Sequence, residues 1–357
     1  MIKILHTADL HLTEKAKKRW EALEELVFLA QREQVSALVI AGDLFDRVDV
    51  AEIMRAKLRT VFGKCSFHTL ILPGNHDYQA YRSGLYYGDN VKVIRDWRTP
   101  VQIEDTVFWG LPYDHSNPGN LAVRLREMAG LMDHGKDNIL IYHGELLDAF
   151  FSRNDLGNEG GKRYMPVRLS FFDALPVLYI LAGHFHSRYA AWQLSNGSLF
   201  VYPGSPVAVT RRETGRRKAN LVFPGEAPRE IVLESFHFEE LIITLNPFTA
   251  HDPLEELARK LVDLHTNAEA LLTVEGLFDG SKLDRSEARL AAEIRKMVDG
   301  VCAAEPVFNF VDVSHVLEDD LFKKFKTALE ETVYPLEGKR KLEEMVIQAF
   351  RGGKECS

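Results

Sequence analysis

Five short clusters of metal-seeking side chains punctuate the first half of the chain. They are Asp9-Leu10-His11, Gly42-Asp43-Leu44-Phe45-Asp46, Gly74-Asn75-His76-Asp77, His143-Gly144-Glu145 and Gly183-His184-Phe185-His186. Each offers a carboxylate, an imidazole or a side-chain amide. Taken singly, each has an ordinary explanation: Gly-Asp is a common turn, and a histidine beside a strand usually just bonds its own loop. Together they are better explained by one shared metal centre, because five independent turns would have to mimic a single ordered constellation. His68, His115, His134, His237, His251, His265 and His315 have no such context, and His6 reads as a structural partner near the site.

Something must hold these clusters side by side. Each follows a short apolar run, at Ile2–Leu5, Ala37–Ala41, Thr69–Leu72, Ile139–Tyr142 and Val177–Ala182, and each run has the composition of a buried strand. Trp20, Leu23, Val27 and Ala30 mark a helix between the first two runs; Met54, Leu58, Val61 and Phe62 mark another, with Asp49 and Glu52 as its capping box. This βαβαβ order predicts a mainly parallel sheet with its ligands at the carboxyl ends of the strands. All five ends should then lie on one edge of one sheet. Gly42, Gly74 and Gly183 fit backbone that turns sharply beside a ligand.

Composition narrows the class. A chain of 357 residues with 46% hydrophobic and 27% charged residues is that of a globular protein with a large core and a smaller appendage. It has no apolar run of membrane-spanning length, and its first residues lack the pattern of a signal peptide. Cys65, Cys302 and Cys356 are too few and too scattered for a disulfide framework, so a cytoplasmic protein is expected. The net charge of −8 does not exclude nucleic acid, since phosphate binding depends on local field. Arg211-Arg212 and Arg216-Arg217-Lys218 read equally as a DNA contact and as a solvated hairpin tip.

The order D-x-H, G-D-x-x-D, G-N-H-D, H, G-H-x-H resembles the calcineurin-like metallophosphoesterase superfamily. Within it, the stretches 6–12, 42–46, 74–77, 183–186 and Tyr202-Pro203-Gly204-Ser205-Pro206 resemble the SbcD family, the nuclease half of a bacterial double-strand-break repair complex. The resemblance covers residues 1–220 well and the rest in outline. It implies an α/β fold, a β-sandwich flanked by helices, with a small α/β capping domain. It also implies that Asp9, His11 and His186 hold one metal, that Asn75, His143 and His184 hold a second, and that Asp43 bridges the two. Two carboxylates, one amide and four imidazoles suit manganese, iron or zinc better than magnesium or calcium, and manganese is the expected ion. Two divalent ions and two aspartates leave a charge that a hydroxide and a phosphodiester would neutralise, a mild argument for diesters. Such a metal pair lowers the pKa of a bridging water and clamps the attacking and leaving oxygens. His76, off the ligand list, is the expected proton or hydrogen-bond donor, oriented by Asp46 or by Asp77. Some relatives carry His where this chain has Asp46. Leu10 and Thr13 also depart from a common Trp and Gly beside the ligands.

Residues 225–230 read as a linker. Beyond it, Leu241–Leu245, a helix from Asp252, Ala270–Val274, a helix over Arg285–Val298 and Val307–Val313 give a second βαβαβ pattern without catalytic motifs. The expected division is 1–228 for the nuclease core, 229–318 for the cap and 319–357 for a helical partner-binding segment. In that segment Leu321, Phe322, Phe325 and Leu329 lie on one helical face, and Leu342, Met345, Val346 and Phe350 on another. The resemblance implies DNA as substrate, an SbcC-type SMC-like ATPase as partner of this segment, and a homodimer through Ile53–Phe62 and Tyr78–Tyr87. The competing readings are a metallophosphatase or small-molecule phosphodiesterase of the same superfamily, and a non-enzymatic metal-binding scaffold. Gly42-Asp43-Leu44-Phe45-Asp46-Arg47 favours a phosphatase, whereas the G-H-x-H pair speaks against the protein-phosphatase branch. The full ligand set and His76 speak against a scaffold.

Overall fold

Every apolar run that leads into a ligand cluster becomes a strand. A computed structural model describes residues 2–81, 85–114, 121–149, 163–249 and 251–352. The chain opens with β1 (Ile4–Thr7), α1 (Lys17–Arg32), β2 (Ala37–Ala41), α2 (Val48–Phe62), β3 (His68–Leu72) and β4 (Val91–Val93), and these strands pair in parallel. It then builds a second sheet from β5 (Val101–Ile103), β6 (Thr106–Leu111), β7 (Asp137–His143), β8 (Tyr179–Gly183), β9 (Ala190–Gln193) and β10 (Leu199–Tyr202), with α3 (Leu121–Ala129) between β6 and β7. β11 (Lys218–Val222) and β12 (Arg229–Val232) return antiparallel to the first sheet. The sheet orders are β12-β11-β1-β2-β3-β4 and β5-β6-β7-β8-β10-β9.

The single sheet read from strand order is therefore corrected to two, which is the β-sandwich that the resemblance implies. Three of the ends that carry candidate ligands stand on one sheet and two on the other. The reason lies in strands that are apolar on both faces, so each sheet needs cover on both sides. Ile4, Val39, Leu70 and Leu72 meet Phe108, Ile139, Ile141 and Leu181 in the layer between the sheets. Their sequence neighbours point the other way: Leu5, Leu38, Ile40 and Ile71 pack with Trp20, Leu23, Leu58 and Phe62 of α1 and α2. On the second sheet, Leu140, Tyr142 and Ile180 pack with Leu121, Leu125 and Met128 of α3. This is a helix-flanked sandwich. The capping box at α2 does not form, because Arg47 takes the Asp49 carboxylate in a two-pronged pair (3.0 and 2.9 Å) and the helix starts at Val48.

The chain divides into two units, Met1–Phe238 and Glu239–Ser357. β12 completes the first sheet, so the stretch expected as a linker is partly strand and the first unit runs on past residue 228. The second unit follows the expected pattern: β13 (His237–Leu245), α4 (Pro253–Val262), β14 (Ala268–Phe278), a short α5 (Gly280–Leu283), α6 (Glu287–Met297) and β15 (Val307–Asp312), in the sheet order β13-β14-β15. Asp252 caps α4 by accepting from Leu254 N, with Pro253 at the first helical position. Ser286 caps α6 in the same way through Arg289 N. Leu257, Leu290 and Ile294 bury their stripes against Leu272, Val274 and Phe310. After a short α7 (Ser314–Leu317) come α8 (Asp320–Glu330) and α9 (Leu336–Gly352). Phe322 and Ile347 bury with Val313 and Val316, while Leu321, Leu336 and Met345 stay exposed.

Candidate metal centre

The ends of β1, β2, β3, β7 and β8 bring all seven expected ligands together. His11 Nε2 lies 3.2 Å from His186 Nε2, which is 3.6 Å from Asp9 Oδ1. Asn75 Oδ1 lies 2.9 Å from His143 Nε2 and 3.2 Å from His184 Nδ1. Asp43 sits between the two groups, its Oδ2 3.3 Å from His143 Nε2 and 3.9 Å from His11 Nε2. Two donors held by one ion at about 2.1 Å stand about 3.0–3.4 Å apart, so this spacing fits shared cations. Asp43 Oδ2 is wholly buried and makes no hydrogen bond despite its imidazole neighbours, a costly state for an anionic oxygen unless a cation meets it. The residues fit a pair of divalent ions.

Backbone strain collects here as well. Asp9 (φ 58°), His11 (φ 46°), Asp43 (φ 51°) and His184 (φ 99°) all adopt the left-handed region, which non-glycine residues enter at a cost. Gly42 and Gly74 are needed for close approach: a Cβ at the first would strike the His143 imidazole, and at the second the Asp43 carboxylate.

The imidazoles are aimed from behind. His143 Nδ1 donates to the Ala41 carbonyl (2.8 Å), which turns Nε2 toward the cluster. His186 Nδ1 lies 3.3 Å from Glu213 Oε1. Glu213 in turn accepts from Val209 N (2.8 Å), Thr210 N (3.2 Å) and Thr210 Oγ1 (3.0 Å). Arg217, fully buried, donates to the carbonyls of Ser205 (2.9 Å), Ser187 (3.1 Å) and Glu213 (3.4 Å), and to that of His186 itself. His186 is thus gripped at its ring by Glu213 and at its main chain by Arg217. Neither residue stood out in the sequence, where a glutamate among arginines reads as surface charge. The basic run 216–218 is corrected accordingly: Arg217 is internal, Arg216 pairs with Glu234 (2.8 Å) and Lys218 with Glu230 (2.7 Å). Arg211 and Arg212 are exposed.

His76 is held by its own N–H donating to Asp43 Oδ1 (2.9 Å) and by Nδ1 against the Asp46 main-chain carbonyl (3.1 Å). Its ring stands edge-on to His11, 4.7 Å between centroids. The Asp46 carboxylate takes Arg19 Nη1 (3.2 Å). Asp77 fastens the loop, accepting from Gly74 N (2.8 Å), Phe45 N (3.1 Å) and Tyr81 OH (2.8 Å). Of the other histidines, His6 is buried with Nδ1 3.3 Å from Asn220 Nδ2, and His115 lies outside the described residues.

The electrostatics favour cation capture. Burial pushes the Asp77 carboxyl up, the Asp43 charge adds to it, and the group reaches about 7. Burial alone would lower His143, but the charges of Asp43 and Asp9 reverse this and raise it to about 9. His186 is likewise held well above its ordinary value, against burial, by Asp9 and Glu213. Burial and the neighbouring His186 push His11 down to about 4.

The sequence pattern of the calcineurin-like phosphoesterases matches residues 2–188. The chain belongs to that family. Phosphoesterases of this superfamily use divalent metals, in keeping with the donor sets above. This phosphoesterase is 23% identical to the DNA double-strand break repair protein Mre11 of Sulfurisphaera tokodaii, over 72% of its own length and 69% of the relative's. It is 26% identical to the SbcD component of the nuclease SbcCD of Escherichia coli K12, over 61% and 63%. The matches span between 56% and 70% of the curated relatives. A dimetal phosphatase from Danio rerio superposes with a TM-score of 0.44 at 12% identity, covering 65% of this chain and 95% of that one. Among the described residues, no helix is long and apolar enough to cross a membrane.

Proposed function

We propose that this phosphoesterase is a two-metal DNA nuclease acting in double-strand-break repair. The observation that carries the reading is the pair of donor sets meeting at Asp43, in a chain whose curated relatives are named as break-repair proteins and nucleases. Asp9, His11 and His186 would hold one ion, Asn75, His143 and His184 the other, with manganese suited to the mixed nitrogen and oxygen donors. Such an ion pair, when bound, activates water and offsets the charge of an in-line displacement at phosphorus.

The protein's own contribution is placement. Asp43 fixes both sets and, through the His76 N–H, the loop that carries His76. The His76 imidazole, held at Nδ1 by the Asp46 carbonyl, donates a proton or hydrogen bond to the leaving oxygen. The partner is an SMC-like ATPase docking on α8 and α9, whose exposed Leu321, Leu336 and Met345, with Val333 and Tyr334 between the helices, supply apolar anchors. A homodimer is supported by exposed Ile53 and Tyr86, while Tyr81 and Tyr87 are buried against Phe45. The test compares manganese-dependent turnover of linear duplex DNA, single-stranded circles, bis-p-nitrophenyl phosphate and p-nitrophenyl phosphate. Cleavage of DNA and the diester with little of the monoester is expected; the reverse order identifies a phosphatase.

A further inference from the structure

Three tyrosines continue outward from the metal centre. The Tyr164 ring stands 5.2 Å from the His184 imidazole, Tyr113 stands 6.1 Å from Tyr164, and Tyr78 stands 5.2 Å from Tyr113. They come from three separate segments, each fastened to the loops that carry ligands. Glu145 N donates to the Tyr164 carbonyl (2.9 Å) just after His143. Tyr113 N donates to the Pro73 carbonyl (3.2 Å), and Tyr78 N to the Gly74 carbonyl (3.0 Å), both beside Asn75. All three side chains are partly exposed, whereas Tyr81, Tyr87, Tyr142, Tyr179 and Tyr202 are buried in the cores.

Neighbouring rings are inclined by 48° to 63°, so they form a wall and not a stack. A base inserted between two parallel rings needs about 6.8 Å, twice the rise of stacked bases, and these gaps are smaller. A planar ligand must therefore lie along the outside of the wall. Tyrosine presents a flat apolar face with a polar tip at little cost in side-chain entropy, and every nucleobase has a π-face to lay on it.

We propose that Tyr164, Tyr113 and Tyr78 form a stacking surface for unpaired bases flanking the phosphate under attack, on the side of Asn75, His143 and His184. This rests on the reading of the protein as a DNA nuclease and adds to it the substrate's form. A base within a duplex has both faces covered by its neighbours and must be unstacked before it can reach the wall. Strands with unpaired ends are therefore the better ligands, with little regard to sequence.

The experiment measures anisotropy of the full chain loaded with manganese on two labelled strands, phosphorothioate-linked to slow cleavage. One is an oligothymidylate; the other is an abasic strand with the same number of phosphates. Wild type should bind the base-bearing strand about tenfold more tightly, and Tyr113→Leu and Tyr78→Leu should each cut that preference to about threefold or less, with metal content unchanged. Equal binding of the two strands by wild type overturns the wall and leaves the nuclease reading standing. Binding of neither strand by metal-loaded protein overturns both. Loss of metal from both variants identifies the wall as structural support of the ligand loops and also refutes the proposal.

Discussion

Replacing Glu213 by Gln tests whether His186 is a ligand aimed from behind. Gln keeps the size of the side chain but has one accepting oxygen where the carboxylate has two. Those two oxygens serve His186 Nδ1, Val209 N, Thr210 N and Thr210 Oγ1. The amide NH2 must face one of these donors, leaving a buried donor unpaired at a cost of about 1–3 kcal/mol in stability. The larger consequence is for metal. Loss of the partner behind a ligating histidine lowers metal affinity roughly 10- to 100-fold, about 1.4–2.7 kcal/mol. The effect should fall on one ion, because His143 is aimed independently by the Ala41 carbonyl. Manganese titration followed by calorimetry and electron paramagnetic resonance should show one class of site weakened and the other retained. Two ions binding at wild-type strength would refute the positioning role. Equal weakening of both would make Glu213 a general support of the fold.

Other outcomes follow from the same geometry. His76→Asn should abolish turnover while two metals still bind by elemental analysis; loss of metal would make His76 a ligand. His143 and His186 hold protons above their ordinary range, His143 up to about 9, and a metal must displace them. Apparent manganese affinity should therefore rise with pH toward 9, by up to about tenfold per pH unit for each displaced proton, with proton release seen by calorimetry in buffers of different ionisation enthalpy. Absence of proton release would contradict this. Cutting the chain at Asp319 would strip Phe322 and Ile347 from the core they share with Val313 and Val316, so surface change is the cleaner probe of the partner. Leu321→Glu with Met345→Glu should abolish co-purification with the ATPase while unfolding free energy stays within about 0.5 kcal/mol per site; unchanged co-purification would move the docking surface elsewhere.

The clustering of the candidate ligands was legible because chemistry and strand ends coincide in sequence: Asp9, Asp43, Asn75, His143 and His184 each follow an apolar run. Which strands join which of the two sheets was not legible from strand order, since β6 and β11 end in no motif and strand neighbours are a tertiary property. Glu213 and Arg217 were hidden for a related reason. An Arg-Arg-Lys run looks solvated, and its middle member is buried among four carbonyls, three of them, those of Ser205, Ser187 and His186, brought from elsewhere in the chain. The contact of His76 Nδ1 with the Asp46 main-chain carbonyl was not legible, because no residue type announces a main-chain partner. The second unit read well because its apolar stripes and the caps at Asp252 and Ser286 are local signals.

The central claim is that two donor sets share Asp43. Anomalous diffraction from crystals soaked in manganese measures this directly. Two peaks about 3.5–4 Å apart, with the Asp43 carboxylate between them, are the predicted result. A single peak, or two peaks with Asp43 turned away from both, would contradict it.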